Sequence, residues 1–171
     1  MRTHLVQTLI RCSKSNRILL GRWNDGPFQG RISGLLGQAR AKCANDAAKQ
    51  VVKRMIDFEV PDSSKLTPCA RFIFHEEDET DGAAELLGST YEETQFLLDL
   101  DDSFETKQIR DEFSPIWFDL DQIPYSEMPE DDLIWYPRVL NNDEILNGTF
   151  RFRGTKLLDY NIEEVDSLVV R

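Results

Sequence analysis

Between Asn45 and Val60 the apolar residues recur at helical spacing, while the segments around them alternate, and this contrast limits the folds open to the chain. Ala47, Ala48, Val51, Val52, Met55 and Ile56 make the helical repeat. Asn45 is expected to cap the helix, with Asp46 at the positive end of its dipole. Pro61 disfavours helical backbone in the residue before it, so the helix must stop by Val60. Strands are expected at Leu5–Ile10 and Arg17–Leu20, with Ser13 to Asn16 as the turn, and again at Leu66–Phe74, Thr94–Leu100 and Pro115–Phe118. Pro129 is expected to open a second helix with Glu130, Asp131 and Asp132 in its first turn. That helix continues through Trp135 to about Leu140, with Pro137 as a distortion. Phe150–Phe152 and Lys156 to about Glu164 then close the chain as a hairpin. Strands with one helix early and one late imply a mixed sheet packed between helices. At 171 residues the chain suffices for one such core and is short for two, so residues 1–171 are read as a single domain.

Charge narrows the function. A net charge of −11 and a pI of about 4.6, without a cluster of Lys and Arg, exclude direct nucleic-acid binding, which needs a positive stripe to displace phosphate counterions. Cys12, Cys43 and Cys69 form no CxxC pair, and His4 and His75 stand alone, so no zinc site is expected. Unpaired cysteines suit a reducing compartment, the cytoplasm or nucleus. The residues Met1-Arg2-Thr3-His4 lead straight into a strand with no cleavable apolar segment, and no apolar run reaches membrane-spanning length. No membrane partner is expected.

Two stretches are irregular. Gly21, Gly26, Gly30, Gly34 and Gly37 crowd the region before the helix, where glycine permits turns and close backbone approach. Residues 76–93 are acidic, contain Gly82 and Gly88, and read as a long loop insertion. Glu76, Glu77, Asp78 and Glu79 within it are either a solvated charge run or a relocated metal site.

Three motifs together resemble the Nudix hydrolases, and among them the MutT-like branch that acts on oxidised purine nucleoside triphosphates. They are RILLG with the glycine-rich GRISGLLG, then EFSPIWFDLDQIPYSEMPEDDLIWYP, then GTFRFRGTKLLDYNIEEV. The resemblance runs from about Leu5 to Val165. It implies a Nudix-type α/β/α sandwich with a mixed β-sheet, an α/β fold. It also implies a helix whose carboxylates hold magnesium against a diphosphate, since magnesium takes oxygen ligands and carboxylates at i, i+3 and i+4 share a helix face. Here those carboxylates are missing. The family's Arg falls on Gln50, and its Glu positions fall on Val51, Arg54 and Met55. One family acid survives as Glu112, in Arg110-Asp111-Glu112-Phe113, and one carboxylate is not a metal site.

The base pocket implied by the resemblance is better kept. Asp131 and Asp132 match the aspartates that read a purine, and Trp135 matches the base-stacking tryptophan. Phe72 and Phe74 match pocket walls, and Thr8 and Phe28 fall near the pocket mouth. Adjacent carboxyls resist double ionisation, so one should keep its proton and offer a donor beside an acceptor. The pattern is broken where Ser33 replaces a base-reading asparagine, Trp23 a basic residue near the phosphates, and Pro129 a tryptophan.

The chain is therefore read as a pseudoenzyme that uses no cofactor and acts as a protein-interaction module, a purine-nucleotide-binding module, or both. Trp23, Val51 and Met55 are the candidate contacts for a partner protein. The apolar face of the first helix is expected to fill the former metal cleft, either from within the domain or with the partner. The alternative is an active Nudix hydrolase that holds magnesium with ligands recruited elsewhere and cleaves purine nucleoside triphosphates to monophosphate and diphosphate.

Overall fold

The computed structural model describes residues 2–62, 65–77, 90–101 and 104–169. In chain order the elements are β1 (Thr3–Cys12), β2 (Arg17–Trp23), β3 (Ile32–Ser33), β4 (Leu35–Gln38), α1 (Ala44–Ile56), β5 (Lys65–Glu76), β6 (Thr90–Leu100), β7 (Phe113–Asp119), α2 (Asp132–Asn142), β8 (Leu146–Arg153) and β9 (Lys156–Glu164). Among the described residues the strands form one sheet with a backbone order β3-β2-β1-β6-β5-β8-β9. β4 also pairs with β1, and β7 with β2. The pairs β1–β6 and β5–β8 are parallel and the others antiparallel, so the sheet is mixed.

Alternation along the strands divides the core in two. Leu5 and Leu9 of β1 join Phe72, Phe74, Phe150, Trp135 and Tyr136 on the α2 side. Val6 and Ile10 join Leu19, Leu35, Phe96, Phe113 and the apolar stripe of α1 on the other. Two glycines permit close approach. A Cβ on Gly21 would lie 2.0 Å from the Phe113 ring, and one on Gly37 would lie 2.8 Å from Val51 Cγ2. Without them neither β7 nor α1 could pack as tightly onto the strands beneath.

Several expectations are corrected. The glycine-rich stretch contains two short strands, β3 and β4, which its polarity and brevity concealed. α1 starts one residue before Asn45, with Cys43 as an N-cap that supplies no side-chain hydrogen bond. It ends at Asp57, left-handed at φ 54°, whose N–H returns to the Lys53 carbonyl. Pro129 lies one turn ahead of α2, where its carbonyl accepts from Asp132 N at 3.1 Å, and Asp131 is the N-cap. Pro137 stands inside that helix. The acidic segment 76–93 is not loop throughout, since Glu76 ends β5 and Thr90–Glu93 begin β6. Residues 78–89, with the expected Asp78 and Glu79, lie outside the described residues.

The face of α1 is settled from within. Val51 is 3 % exposed and Met55 2 %, both inside the core cluster of α1. They are covered by the domain's own side chains and are not a surface for a partner. No helix among the described residues is long and apolar enough to cross a membrane.

Placing two carboxylates at these positions would strand charge in a dry, close-packed layer. The double variant Val51→Glu with Met55→Glu is expected to lose about 4 kcal/mol or more of stability. Chemical denaturation checks this, and Gln50→Glu on the exposed side of the same helix should fall within about 0.5 kcal/mol of the original protein.

Candidate functional site

A cavity of about 380 Å³ opens on the α2 side of the sheet. β1 and β6 supply its floor through Gln7, Tyr91 and Glu93; β5 adds Phe74 and Glu76. Trp23, Phe28, Arg31 and Ser33 form one wall, and the segment from Ser126 to Asp132 forms the opposite one. Trp23 is fixed by a hydrogen bond from its Nε1 to Ser33 Oγ at 2.9 Å and by contacts with Phe28 and Phe113 at 5.9 and 5.1 Å between ring centroids. Phe74 stacks on Tyr91 at 5.1 Å.

The expected pocket residues thus separate into two sets. Phe28, Ser33, Phe74, Asp131 and Asp132 line the cavity, and so does Trp23. Phe72 and Trp135 do not. Both are fully buried behind it, 5.3 Å apart, in the aromatic core. Trp135 acts on the cavity indirectly, by donating from Nε1 to Asp131 Oδ2 at 3.1 Å. Thr8 also lies outside the lining. It sits on the even-numbered face of β1 with Val6 and Ile10, where its buried Oγ1 has no hydrogen-bond partner among the described residues. Its neighbour Gln7 reaches the cavity instead, because successive strand residues face opposite ways.

Beneath the cavity runs a buried polar chain that the sequence did not announce. Gln7 Nε2 donates to Gln95 Oε1 at 2.9 Å, and Gln95 Nε2 donates to Glu93 Oε2 at 2.7 Å. Gln7 Oε1 accepts from Tyr136 OH at 3.1 Å and from Gly34 N at 2.8 Å. The links of Gln7 tie β1 to β6, to α2 and to the bend at Gly34, and Gln95 holds Glu93 along β6, so the chain braces the floor. The missed signal was available: once β6 is extended back to Thr90, the strand period puts Glu93 and Gln95 on the same face as Leu97.

Burial dominates the electrostatics. It pushes Asp131 up to about 6 and Asp132 well above the carboxylate range, the latter also through the like charges of Asp131 and Glu93. Adjacent buried carboxyls resist double ionisation, so the pair holds a proton, while Asp131 Oδ2 accepts from Trp135. Glu93 is raised to about 8, by burial first and by Asp131 second. The ring edge of a bound heterocycle would meet a donor and acceptors side by side.

The residues on the other face of the sheet do not fit a magnesium site. Gln50 is exposed and neutral, Val51 and Met55 are buried, and Arg54 brings a positive charge. Arg54 is held below its ordinary range by burial and by the like charges of Arg110 and Arg40. Glu112 is committed to Arg110, whose Nε donates to its Oε1 at 2.5 Å, and this bond holds the carboxyl below its ordinary value. Among the described residues no group of three or more His, Cys, Asp or Glu is placed to hold a metal ion. Glu77 lies between Arg151 and Arg153, while Glu76 lines the cavity.

Glu93 links the site to stability. Its carboxyl moves from 4.5 to about 8 on folding, so the contribution is complete below 4.5 and is lost as pH rises towards 8. His4 has the opposite sign. Burial lowers it from 6.5, so its contribution is present above 6.5 and lost as pH falls. The melting temperature should therefore decline as pH rises from about 6.5 to about 8, and Glu93→Gln should flatten that decline; thermal melts across this range check both.

Comparison with known proteins places this geometry. No family model matches the chain. It is 29 % identical over 171 residues to the oxidized purine nucleoside triphosphate hydrolase of Danio rerio, covering 98 % of this chain and 100 % of that protein. The enzyme of the same name from Mus musculus is 28 % identical over 169 residues, covering 98 % and 99 %. Among solved structures, a mutator MutT protein from Bacillus halodurans superposes with a TM-score of 0.70 at 18 % identity, covering 94 % of this chain and 97 % of that one. The E. coli dihydroneopterin triphosphate pyrophosphohydrolase gives 0.58 at 16 % identity, covering 76 % and 92 %. The chain has the Nudix-type fold, an α/β sandwich with a mixed sheet, and along nearly its whole length it resembles the MutT-like oxidized purine nucleoside triphosphate hydrolases.

Proposed function

We propose that this protein is a Nudix-fold pseudoenzyme that binds a purine-type ring in its cavity and does not carry out metal-dependent hydrolysis. The observation that carries the reading is the contrast between the two faces of the sheet. One keeps a cavity with aromatic walls and a proton-sharing aspartate pair. On the other, α1 presents Gln50, buried Val51 and Met55, and an arginine beside two more arginines. Magnesium needs a set of oxygen ligands, and a cluster of guanidinium groups repels it. The relatives' substrate class, oxidized purine nucleoside triphosphates, supports a purine as the ring.

The interaction role is narrower than the sequence suggested. A partner that meets α1 finds Val51 and Met55 already covered, and Trp23 tied to Ser33 at the cavity wall. Ligand binding is the reading the geometry favours. Three free cysteines, two of them buried, are in keeping with a reducing compartment.

Two measurements test this. Incubation with magnesium and either ordinary or oxidised purine triphosphates should release no diphosphate or phosphate above background. Turnover that survives extensive purification and disappears in Glu112→Gln overturns the reading. Titration calorimetry with guanosine should give saturable binding. Asp132→Asn, which keeps a donor but removes the shared proton, and Asp131→Asn should each weaken binding by about 1.5–3 kcal/mol, the range for hydrogen bonds to charged groups.

A further inference from the structure

Glu93 is a cavity residue to which the resemblance gives no role. It is 6 % exposed, yet it lines the cavity. Its Oε2 accepts from Gln95, and among the described residues no hydrogen bond reaches its Oε1. The chain Gln95–Gln7–Tyr136 holds the carboxyl in place and keeps it from swinging out to water. An acid in such a position costs stability unless something neutralises it. Among the described residues no ion pair reaches Glu93: Arg22 is engaged by Glu127 at 2.7 Å, and Arg31, at the cavity wall, acts on Asp131, which leaves one cation against three carboxyls. Glu93 therefore joins Asp131 and Asp132 as a third buried carboxyl facing one space, with like-charge repulsion between them.

Part of the remaining lining is aromatic. Trp23, Phe28, Phe74 and Tyr91 present ring faces or edges to the same volume. Aromatic faces attract cations, most strongly where water is excluded. A flat ring that carries positive charge satisfies both features at once, because the rings stack on it and the carboxyls neutralise it. A neutral ring of the same outline satisfies only the first.

We propose that Glu93 sets ligand choice in this cavity and makes it select a positively charged purine-type ring over the neutral ring of the same shape. This rests on the purine reading above and adds the charge state of the ligand. It also accounts for an otherwise costly burial, since the ligand brings the missing counter-charge and Glu93 releases its proton to water as the cation enters.

The test compares 7,9-dimethyladeninium, a fixed cation, with neutral 9-methyladenine and guanosine by titration calorimetry. The full chain should bind the cation about tenfold or more tighter than 9-methyladenine, and Glu93→Gln should reduce that preference to about twofold or less. Glutamine retains an acceptor for Gln95, so the variant keeps the polar chain. Equal affinity for the two adenines, or a preference that persists in Glu93→Gln, overturns the proposal and leaves the purine reading standing. Failure of all three rings to bind overturns both. If Glu93→Gln does not fold, the original protein decides. Its affinity for the fixed cation should tighten as pH rises through about 8 while that for 9-methyladenine does not, and two parallel profiles overturn the proposal.

Discussion

β1 and β6 lie side by side in parallel, from Thr3 opposite Tyr91 to Cys12 opposite Leu100, and this ladder joins the two halves of the sheet. Strand side chains alternate, so its register decides which layer each residue enters. In the observed register Gln7 stands opposite Gln95, and their amides hydrogen-bond at 2.9 Å. A slip of β1 by one residue would send Gln7 into the apolar layer under α1, away from its polar partners, and would turn Val6 towards the cavity. Both layers would be spoiled together. The buried amide pair therefore does two things: it locks the strand order against slippage and it forms the foundation of the cavity floor.

The two layers have opposite characters. Under α1 the packing is dry and dense, with glycine at the closest approaches and aliphatic and aromatic side chains filling the rest. On the α2 side, a comparably buried region accommodates two glutamines, Glu93 and Tyr136 in one hydrogen-bonded chain, with Asp131 held separately by Trp135. Buried polar groups persist only when most of their hydrogen bonds are made. Among the described residues Gln7, Gln95, Glu93 and Tyr136 meet that condition through one another. Stability and recognition thus draw on the same residues. Trp135 illustrates this: it packs in the aromatic core and at the same time orients the Asp131 carboxylate.

Much of the fold was legible because its long elements carry strong periods. The helical stripe from Ala47 to Ile56 and the alternation of β1, β5 and β6 placed the main elements to within a few residues. Short strands escaped. β3 and β4, two and four residues long, are too short to show a period and are made by their pairing to β2 and β1. The site was half legible. Asp131, Asp132, Phe28, Ser33 and Phe74 follow from the motif, but Thr8 and Trp135 show the limit of reading by position. A one-residue difference in strand parity takes Thr8 away from the cavity, and a helix that sits deeper in the aromatic core turns a stacking surface into a buried support. Glu93 was hidden by composition, since an acidic residue in an acidic run looks solvated until the strand that contains it is recognised.

The seating of α1 on β4 has a consequence for how this protein can change over time. Gly37 admits the Val51 side chain so closely that a single added carbon would collide with it, and the Arg54 guanidinium would lie 2.7 Å from the same carbon. Gln50 and Arg54 are exposed and could change freely, but an acid at Val51 or Met55 meets a filled space, and each of those steps is less stable than its parent. A metal-binding helix would need several replacements in concert, together with a loosening of the strand beneath. The packing works as a ratchet. Mutations can keep reshaping the cavity on one side of the sheet, while the other side is held in its present chemistry by the tightness of its own fit.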